Sequence, residues 1–239
     1  MTAPAPTEPA APGPQARFWT RYAAWSLDAA CLLPLVALLG GPHMRVAGAQ
    51  AAEAWTSLSA ALAGLFGDAL ASMRSPLATA QALLADPRLA GAVHRLDTAI
   101  GELLLTPLLL YALLACLWSV GFEASAWRAT PGKRALGLEV VDAQGRRLHH
   151  GGALLRFLAA GLSWLTCNLG HALALLPPRH LALHDLLSGT RVHGPARLPA
   201  WARGWLALQA LASCIAAAWL FVAAQAAMQA ALERALGGF

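Results

Sequence analysis

Charged residues are scarce in this sequence. Only 12% of its 239 residues are Asp, Glu, Lys or Arg, whereas 58% are hydrophobic. A soluble domain is typically about a quarter charged. The composition therefore excludes an ordinary soluble enzyme or binding domain, and it indicates that lipid is the main solvent of this chain.

Motifs for metal binding and catalysis are also missing. The four cysteines fall one in each apolar run and have no spacing typical of a metal site or a disulfide framework. The chain lacks GxSxG and HExxH, and Gly132-Lys133 is not a phosphate loop because Trp127 stands where the first glycine belongs. We expect no enzymatic activity, no metal and no cofactor.

A long basic stripe is absent as well, although the net charge is +5. The basic residues are spread over the segments that flank the apolar runs, which is a topology signal rather than a nucleic-acid interface. We therefore expect the lipid bilayer, and not nucleic acid, as the partner.

Four apolar runs remain, at about residues 18–39, 103–120, 153–176 and 205–232. Each approaches or exceeds the ~20 residues that a helix needs to cross a bilayer. The fold class is therefore an all-α integral membrane protein, a bundle of three to four transmembrane helices with a small cytoplasmic β-hairpin region. Because both flanks of the third run are basic and the run contains Arg156, we favour a re-entrant hairpin or interfacial helix pair there, with a four-span bundle as the alternative.

The domain organisation follows from these runs. Residues 1–15 are predicted to be a disordered Pro/Ala-rich tail, 16–193 a membrane domain, and 194–239 a linker with a C-terminal transmembrane helix. Residues 41–102 interrupt the membrane domain as an amphipathic helical insert. Ser75-Pro76 and Asp86-Pro87 predict helix starts inside it, with an N-cap followed by a first-turn proline.

A β-like passage follows the second run. Pro131 and Gly132 predict a type II turn, in which Gly132 supplies a positive φ. Residues 136–142 are predicted to form a strand, and Asp142 to Gly145 a turn leading back to residues 146–149. A second β-like piece, at residues 189–192, could pair with this strand only if both lie on the same side of the membrane.

Asp28 is the residue whose burial as a charge is expected to cost the most free energy. It lies inside an apolar run, where a charge costs at least ~2.5 kcal/mol unless it is paired or hydrated. Arg21 lies seven residues earlier, about 10 Å away along one helix face, and is expected to reach the membrane interface. The candidate partners of Asp28 are Arg156, Arg191 and Lys133. It either locks helix packing as a buried ion pair or relays ions or protons.

The adjacent pair His184-Asp185 invites a catalytic interpretation, but no serine or cysteine is placed against it by any visible spacing. We therefore assign it no catalytic role. The other histidines of the C-terminal half are expected at a surface or interface.

Three blocks of the sequence together resemble the RDD family of bacterial membrane proteins. They are RYAAWSLD at residues 21–28, TPGK with LGLEVVD at 130–142, and LHD with SGTRV at 183–192. The resemblance implies that Arg21, Asp28 and Asp185 are the naming residues, and it implies a cytoplasmic membrane location with the N-terminus inside. The insert and the fourth run depart from the family pattern. The candidate functional residues are Arg21, Asp28, Thr130, Gly132, Lys133, Asp142, Arg156, His184, Asp185, Gly189 and Thr190.

Two functions are compatible with this pattern. The first is a small transporter or ion/solute permeation component, with Asp28 and Asp185 as relay or binding carboxylates. The second is a non-transporting scaffold or assembly factor that binds a partner through its basic hairpin. A short chain without a repeated half favours the second. Alanines at small-xxx-small spacing in the last run, such as Ala212 and Ala216, would permit a homo-oligomer or a membrane-protein partner.

Overall fold

A computed structural model describes residues 14–73, 75–166, 168–177, 180–195 and 197–236. Within them the chain is almost entirely helical, with one sheet of two short strands. Three helices are long and apolar enough to cross a membrane, and a bent helix pair could add a fourth crossing. The predicted fold class, an all-α membrane protein with a small β region, is confirmed.

The first apolar run belongs to helix α1, Phe18–Ala71, which has 54 residues. At 1.5 Å per residue α1 is about 80 Å long, well beyond the ~30 Å hydrocarbon core. Pro34 and Pro42 lie inside it without ending it. The predicted insert therefore does not begin at a helix boundary, because α1 continues through residue 41.

Two capped helices follow. Helix α2, Pro76–Ala85, begins after Ser75, whose hydroxyl accepts a hydrogen bond from the Ala78 N–H. Helix α3, Pro87–Glu123, begins after Asp86, whose carboxylate accepts from the Arg88 N–H at 2.7 Å. Both predicted helix starts are confirmed, and α3 contains the second apolar run without a break at residue 102.

The fourth apolar run lies in helix α8, Ala200–Leu236. None of its most apolar 18-residue window is buried. Leu208, Ile215 and Trp219 are each more than half exposed. A helix with apolar side chains on every face is typical of a membrane span.

The chain divides into two compact units. Unit 1 comprises Met1–Leu33 and Ala112–Leu208, and unit 2 comprises Pro34–Tyr111 and Gln209–Phe239. Unit 1 has an apolar core of alanine, valine and leucine side chains, among them Ala23, Ala24, Leu138, Val140 and Val192. The alanines allow backbones to approach closely, and unit 1 contains all of the candidate functional residues.

The sheet of unit 1 joins segments that are far apart in the sequence. Strand β1, Glu139–Asp142, pairs antiparallel with strand β2, Thr190–His193, so that Val140 lies opposite Val192. The predicted turn after Asp142 is present, with Gly145 at φ +77°. The predicted hairpin partner is wrong, because residues 146–149 form no strand and β2 takes their place.

The N-terminal segment adds to the same sheet. Gln15 forms an antiparallel bridge with His193, and the Ala16 N–H donates to the Val192 carbonyl at 2.9 Å. The predicted disordered tail, residues 1–15, therefore wrongly includes Gln15, which is ordered by its backbone pairing with His193. Residues 1–13 lie outside the described residues.

The third apolar run forms helix α5, His150–Leu165, and helix α6, Leu169–Ala172, with a bend of 111° between α5 and the segment ending at Leu175. Helix α7, Leu183–Ser188, then leads into β2. Since β1 precedes this segment and β2 follows it, their pairing brings both ends together. This pairing favours the re-entrant or interfacial interpretation over a single crossing.

Candidate functional site

Arg21 and Asp185 are 164 residues apart in sequence and form a buried ion pair. One guanidinium nitrogen of Arg21 donates to Oδ2 of Asp185. The Nε–H of Arg21 donates to the Ala16 carbonyl at 3.0 Å. The start of α1 thus directs the Arg21 side chain, which is 12% exposed, towards α7.

Arg156 of α5 is the centre of the site. It donates to Oδ1 of Asp185 and to the Thr190 hydroxyl at 2.8 Å, and its Nε lies 3.2 Å from Oε2 of Glu123. Its side chain is only 7% exposed. Arg156 therefore bridges two carboxylates from different helices.

Glu123 and Lys133 complete the series. The Lys133 ammonium pairs with Oε1 of Glu123, and the Glu123 side chain is 3% exposed. Five side chains thus alternate in charge along one connected network, which we call the ionic clamp: Arg21, Asp185, Arg156, Glu123 and Lys133. The clamp ties the start of α1 and the end of α3 to the short helix α4, Pro131–Ala135, and to α5 and α7.

Asp28 lies beside the clamp but is held by neutral donors. Its carboxylate accepts from the Thr130 hydroxyl at 2.5 Å, the Gly132 N–H at 2.8 Å and the Trp118 indole N–H at 3.0 Å. None of the predicted partners, Arg156, Arg191 and Lys133, forms an ion pair with Asp28 in the described contacts. This correction has a physical reason: three directed donors can satisfy a buried carboxylate without a counter-charge.

Gly132 is needed for close approach rather than for a turn. Residues Pro131–Ala135 form the short helix α4, with Thr130 as its N-cap and Pro131 in its first turn. The predicted type II turn is therefore wrong. A Cβ on Gly132 would lie 2.2 Å from the Ala24 carbonyl oxygen and 2.9 Å from Cγ of Asp28. Only glycine lets α4 present its N–H to Asp28.

Gly189 and Thr190 shape the other side of the clamp. Gly189 ends α7 in the left-handed conformation, at φ +64°, which glycine adopts without strain. The chain can then turn directly into β2, where Thr190 accepts from Arg156. The Ser188 hydroxyl donates to the His184 carbonyl at 2.5 Å, so it is occupied in capping α7.

His184 lies against the clamp in a largely buried position. Its Nε2 is 3.4 Å from Oδ1 of Asp185, and its ring centroid is 5.1 Å from that of His171. Burial, reinforced by the positive charge of Arg156, holds the pKa of His184 well below its usual range. We therefore expect His184 to be a neutral packing partner of Asp185 at neutral pH.

Asp185 carries the strongest electrostatic constraint. Burial by itself would raise its pKa, but the charges of Arg156 and Arg21 outweigh burial and hold the pKa far below the usual range. Oδ2 also accepts from the Ala182 N–H at 2.9 Å, which fixes the start of α7. Asp185 is thus a permanent anion at neutral pH.

Asp142 is the one candidate residue that stands apart from the clamp. Its carboxylate accepts from the N–H groups of Gln144 and Arg146 and pairs with the exposed Arg146 side chain at 2.8 Å. These contacts stabilise the turn after β1. Asp142 therefore has a local structural role.

Glu123 is the functional residue that sequence reasoning missed. It is the first charged residue after the second apolar run, and the sequence pattern gave it no role. Its burial could have been suspected on grounds of charge. Arg21, Arg156 and Lys133 are three cations, and Asp185 alone cannot balance them. Trp118 was likewise missed, since an indole inside an apolar run gives no sign of donating to a carboxylate.

Unit 2 contains a separate polar cavity of about 450 Å³ between α1 and α3. Glu53 and Ser57 of α1 line it together with His94, Arg95 and Glu102 of α3. It includes none of the predicted site residues. Its position accounts for polar residues in the stretch that the sequence marked as an insert.

The arrangement of the clamp can lock helices but offers little acid–base chemistry. Within the residues described, no group of three or more His, Cys, Asp or Glu is placed to hold a metal ion. Removing one partner of a buried ion pair typically costs about 3–5 kcal/mol because the other charge stays buried. The clamp is therefore a strong conformational constraint on the five helices that it joins.

Comparison with known proteins identifies one family. The model of the RDD family matches residues 15–189, which include every candidate residue except Thr190. No curated protein and no solved structure matches this chain.

Proposed function

Since this chain belongs to the RDD family of membrane proteins, we propose that it is a small ion or solute permeation component whose gate is the ionic clamp. The observation that carries the proposal is the alternation of charge through Arg21, Asp185, Arg156, Glu123 and Lys133. A buried network of this kind has to be exchanged for new partners if the helices move. It therefore suits two discrete states better than continuous deformation.

The clamp works as a gate by rearranging, not by titrating. A proton relay needs a group whose pKa lies near the working pH, and the Arg156 and Arg21 charges hold the pKa of Asp185 far below that range against the opposing effect of burial. A permeating cation could instead replace Arg156 or Lys133 at Glu123, and a permeating anion could replace a carboxylate at Arg21. The cation exchange would loosen the link from α3 to α5 or α4, and the anion exchange would loosen the link between α1 and α7.

The test is a flux assay in proteoliposomes of defined composition, with K⁺, Na⁺ and proton gradients followed by dyes. Wild-type protein should dissipate at least one gradient faster than protein-free liposomes. Glu123→Gln leaves Arg156 and Lys133 short of a partner, so its leak should rise several-fold. Asp142→Asn is the matched control, because its ion pair is exposed and outside the clamp.

A scaffold or assembly factor is the second candidate, and one observation favours it. Asp28 is saturated by Thr130, Gly132 and Trp118, which is what a permanently closed packing core requires. If wild-type flux of all three ions equals that of empty liposomes, the permeation proposal is wrong and the scaffold remains. Equal flux through wild type and Glu123→Gln, above the empty control, would instead remove the clamp from its role as gate.

A further inference from the structure

Helix α5 buries its small and polar residues and exposes its leucines, which is the reverse of the pattern in a soluble protein. Its buried residues are Ala153, Arg156, Ala159 and Ser163, which are small, charged or polar. After the exposed His150 in its first turn, its exposed side chains are leucines: Leu154, Leu155, Leu158, Leu162 and Leu165, with exposed fractions from 40% to 84%. In water this pattern would expose the apolar face, whereas acyl chains would cover it without cost.

The length and ends of this segment decide how it can meet the bilayer. The 16 residues of α5 rise about 24 Å, less than the ~30 Å hydrocarbon core. The chain then bends by 111° and returns to β2, which pairs with β1. Because paired strands lie on one side of a membrane, a segment that connects them has to return to the side from which it started.

Charge complementarity identifies the lipid headgroups. Unit 1 contains twelve Arg and Lys against six Asp and Glu in the sequence. Three cations and three anions are taken up by the clamp and Asp28, so the excess of positive charge lies outside the clamp. Arg146 and Arg147, both exposed, lie shortly before α5, which begins at His150. Basic residues beside an inserted helix attract anionic headgroups.

From these observations we infer that α5 and α6 lie within a single leaflet, with the leucine face of α5 against acyl chains and Arg146 and Arg147 on anionic phospholipid headgroups. This inference does not depend on the proposed permeation function. Arg156 lies on the face of α5 opposite the leucines. When the leucine face contacts acyl chains, the Arg156 side chain therefore points into the protein, where it pairs with Asp185. The insertion of α5 and the assembly of the clamp are therefore coupled.

The depth of α5 can be measured with nitroxide labels. Single cysteines replace Leu155, Leu158 or Leu162 after the native cysteines are removed, and the protein is placed in nanodiscs. Accessibility to oxygen and to a water-soluble nickel chelate gives the depth of each label. A label at Leu113 of α3 is the lipid control, and one at Gln144 is the water control.

All three α5 labels should lie in the hydrocarbon of one leaflet, at depths of no more than about 15 Å. Labels that pass the midplane and approach the opposite surface would show that the segment crosses, and the inference would fail. Labels that the nickel chelate reaches as readily as Gln144 would show that lipid does not cover this face, and the inference would fail as well.

The headgroup contact has its own test, native mass spectrometry in an equimolar mixture of phosphatidylglycerol and phosphatidylcholine. Wild-type protein should retain phosphatidylglycerol preferentially. Replacing both Arg146 and Arg147 with Gln should reduce this preference by about fivefold per residue, whereas Arg88→Gln with Arg95→Gln in unit 2 should leave it unchanged. An equal preference in all three proteins would overturn the headgroup contact.

Discussion

At the scale of single residues, the tightest steric constraint in the clamp region is at Gly132. A Cβ there would overlap the Ala24 carbonyl oxygen, which belongs to a helix backbone and cannot move aside as a side chain could. Gly132→Ala should therefore lower stability by about 1–3 kcal/mol or more through overpacking. Thermal unfolding in detergent measures this loss.

The matched control for Gly132→Ala is Gly121→Ala. Gly121 lies within α3 of the same unit, and a Cβ on it would meet nothing within 4 Å. Since alanine is the better helix former by about 1 kcal/mol, this variant should be as stable as wild type or more stable. Equal destabilisation by the two substitutions would contradict the close approach of α4 to Asp28.

His184 gives the native state a predicted dependence on pH. Burial and the charge of Arg156 keep its pKa low in the folded chain, while the unfolded chain takes up a proton near pH 6.5. Stability should therefore fall as pH decreases below about 6.5, by up to about 1.4 kcal/mol per pH unit from this group. His184→Gln should flatten the fall in unfolding midpoint between about pH 6.5 and pH 4.

The pH window separates His184 from Asp185. The arginines beside Asp185 outweigh burial and lower its pKa, so its contribution is complete above about pH 4 and is lost only below that value. His150→Gln, at an exposed position in α5, serves as the control. A pH profile of His184→Gln that matches wild type would show that His184 is not held neutral against the clamp.

At the scale of secondary structure, loss of a carboxylate should have a large effect on stability in the clamp and a small effect in the exposed Asp142–Arg146 pair. Glu123→Gln leaves Arg156 and Lys133 buried with one partner removed, so it should cost about 3–5 kcal/mol. Asp142→Asn breaks a pair whose Arg146 side chain is 73% exposed, so solvent screens the pair and the variant should be close to wild type in stability. Chemical denaturation of both variants in the same detergent tests the difference.

Helices were the part of the fold that sequence predicted best. Long apolar runs marked the three candidate spans, and the Ser75-Pro76 and Asp86-Pro87 caps marked two helix starts, because both signals are local. The end of α1 was misjudged since hydropathy falls after residue 41 while the helical hydrogen bonding continues to Ala71. Helix propensity, unlike hydropathy, does not change at a membrane boundary.

The clamp itself was predicted only in part. The cost of a charge in an apolar run drew attention to Asp28, which lies beside the clamp, and the resemblance to the RDD family singled out Arg21 and Asp185, which are part of it. The actual partners could not be deduced, because Arg21 and Asp185 are separated by 164 residues and no local rule specifies such a contact. The same limit explains why β1 was assigned to a hairpin rather than to β2.

At the scale of the whole molecule, the long helices expose large apolar surfaces that lipid or another helix would cover. Helix α8 exposes Trp219, Leu220 and Phe221 at 60% or more. Its alanine spacing still predicts a homo-oligomer or a membrane-protein partner, and the mass of the protein in detergent, measured by light scattering, would test self-association. Ala212→Leu adds a bulky side chain and should weaken an oligomer that uses this face. Leu208→Ala removes volume instead, so it should not block the contact sterically.

The central claim is that the β1–β2 sheet and the clamp assemble on one side of the membrane, with α5 and α6 never crossing. The most direct measurement is labelling of single cysteines at Gln144 and Pro195 by a membrane-impermeant reagent in oriented vesicles. Both positions should react in inside-out vesicles, and neither should react in right-side-out vesicles. If one position reacts from each side, the third apolar run crosses the membrane, β1 and β2 cannot pair, and the account is wrong.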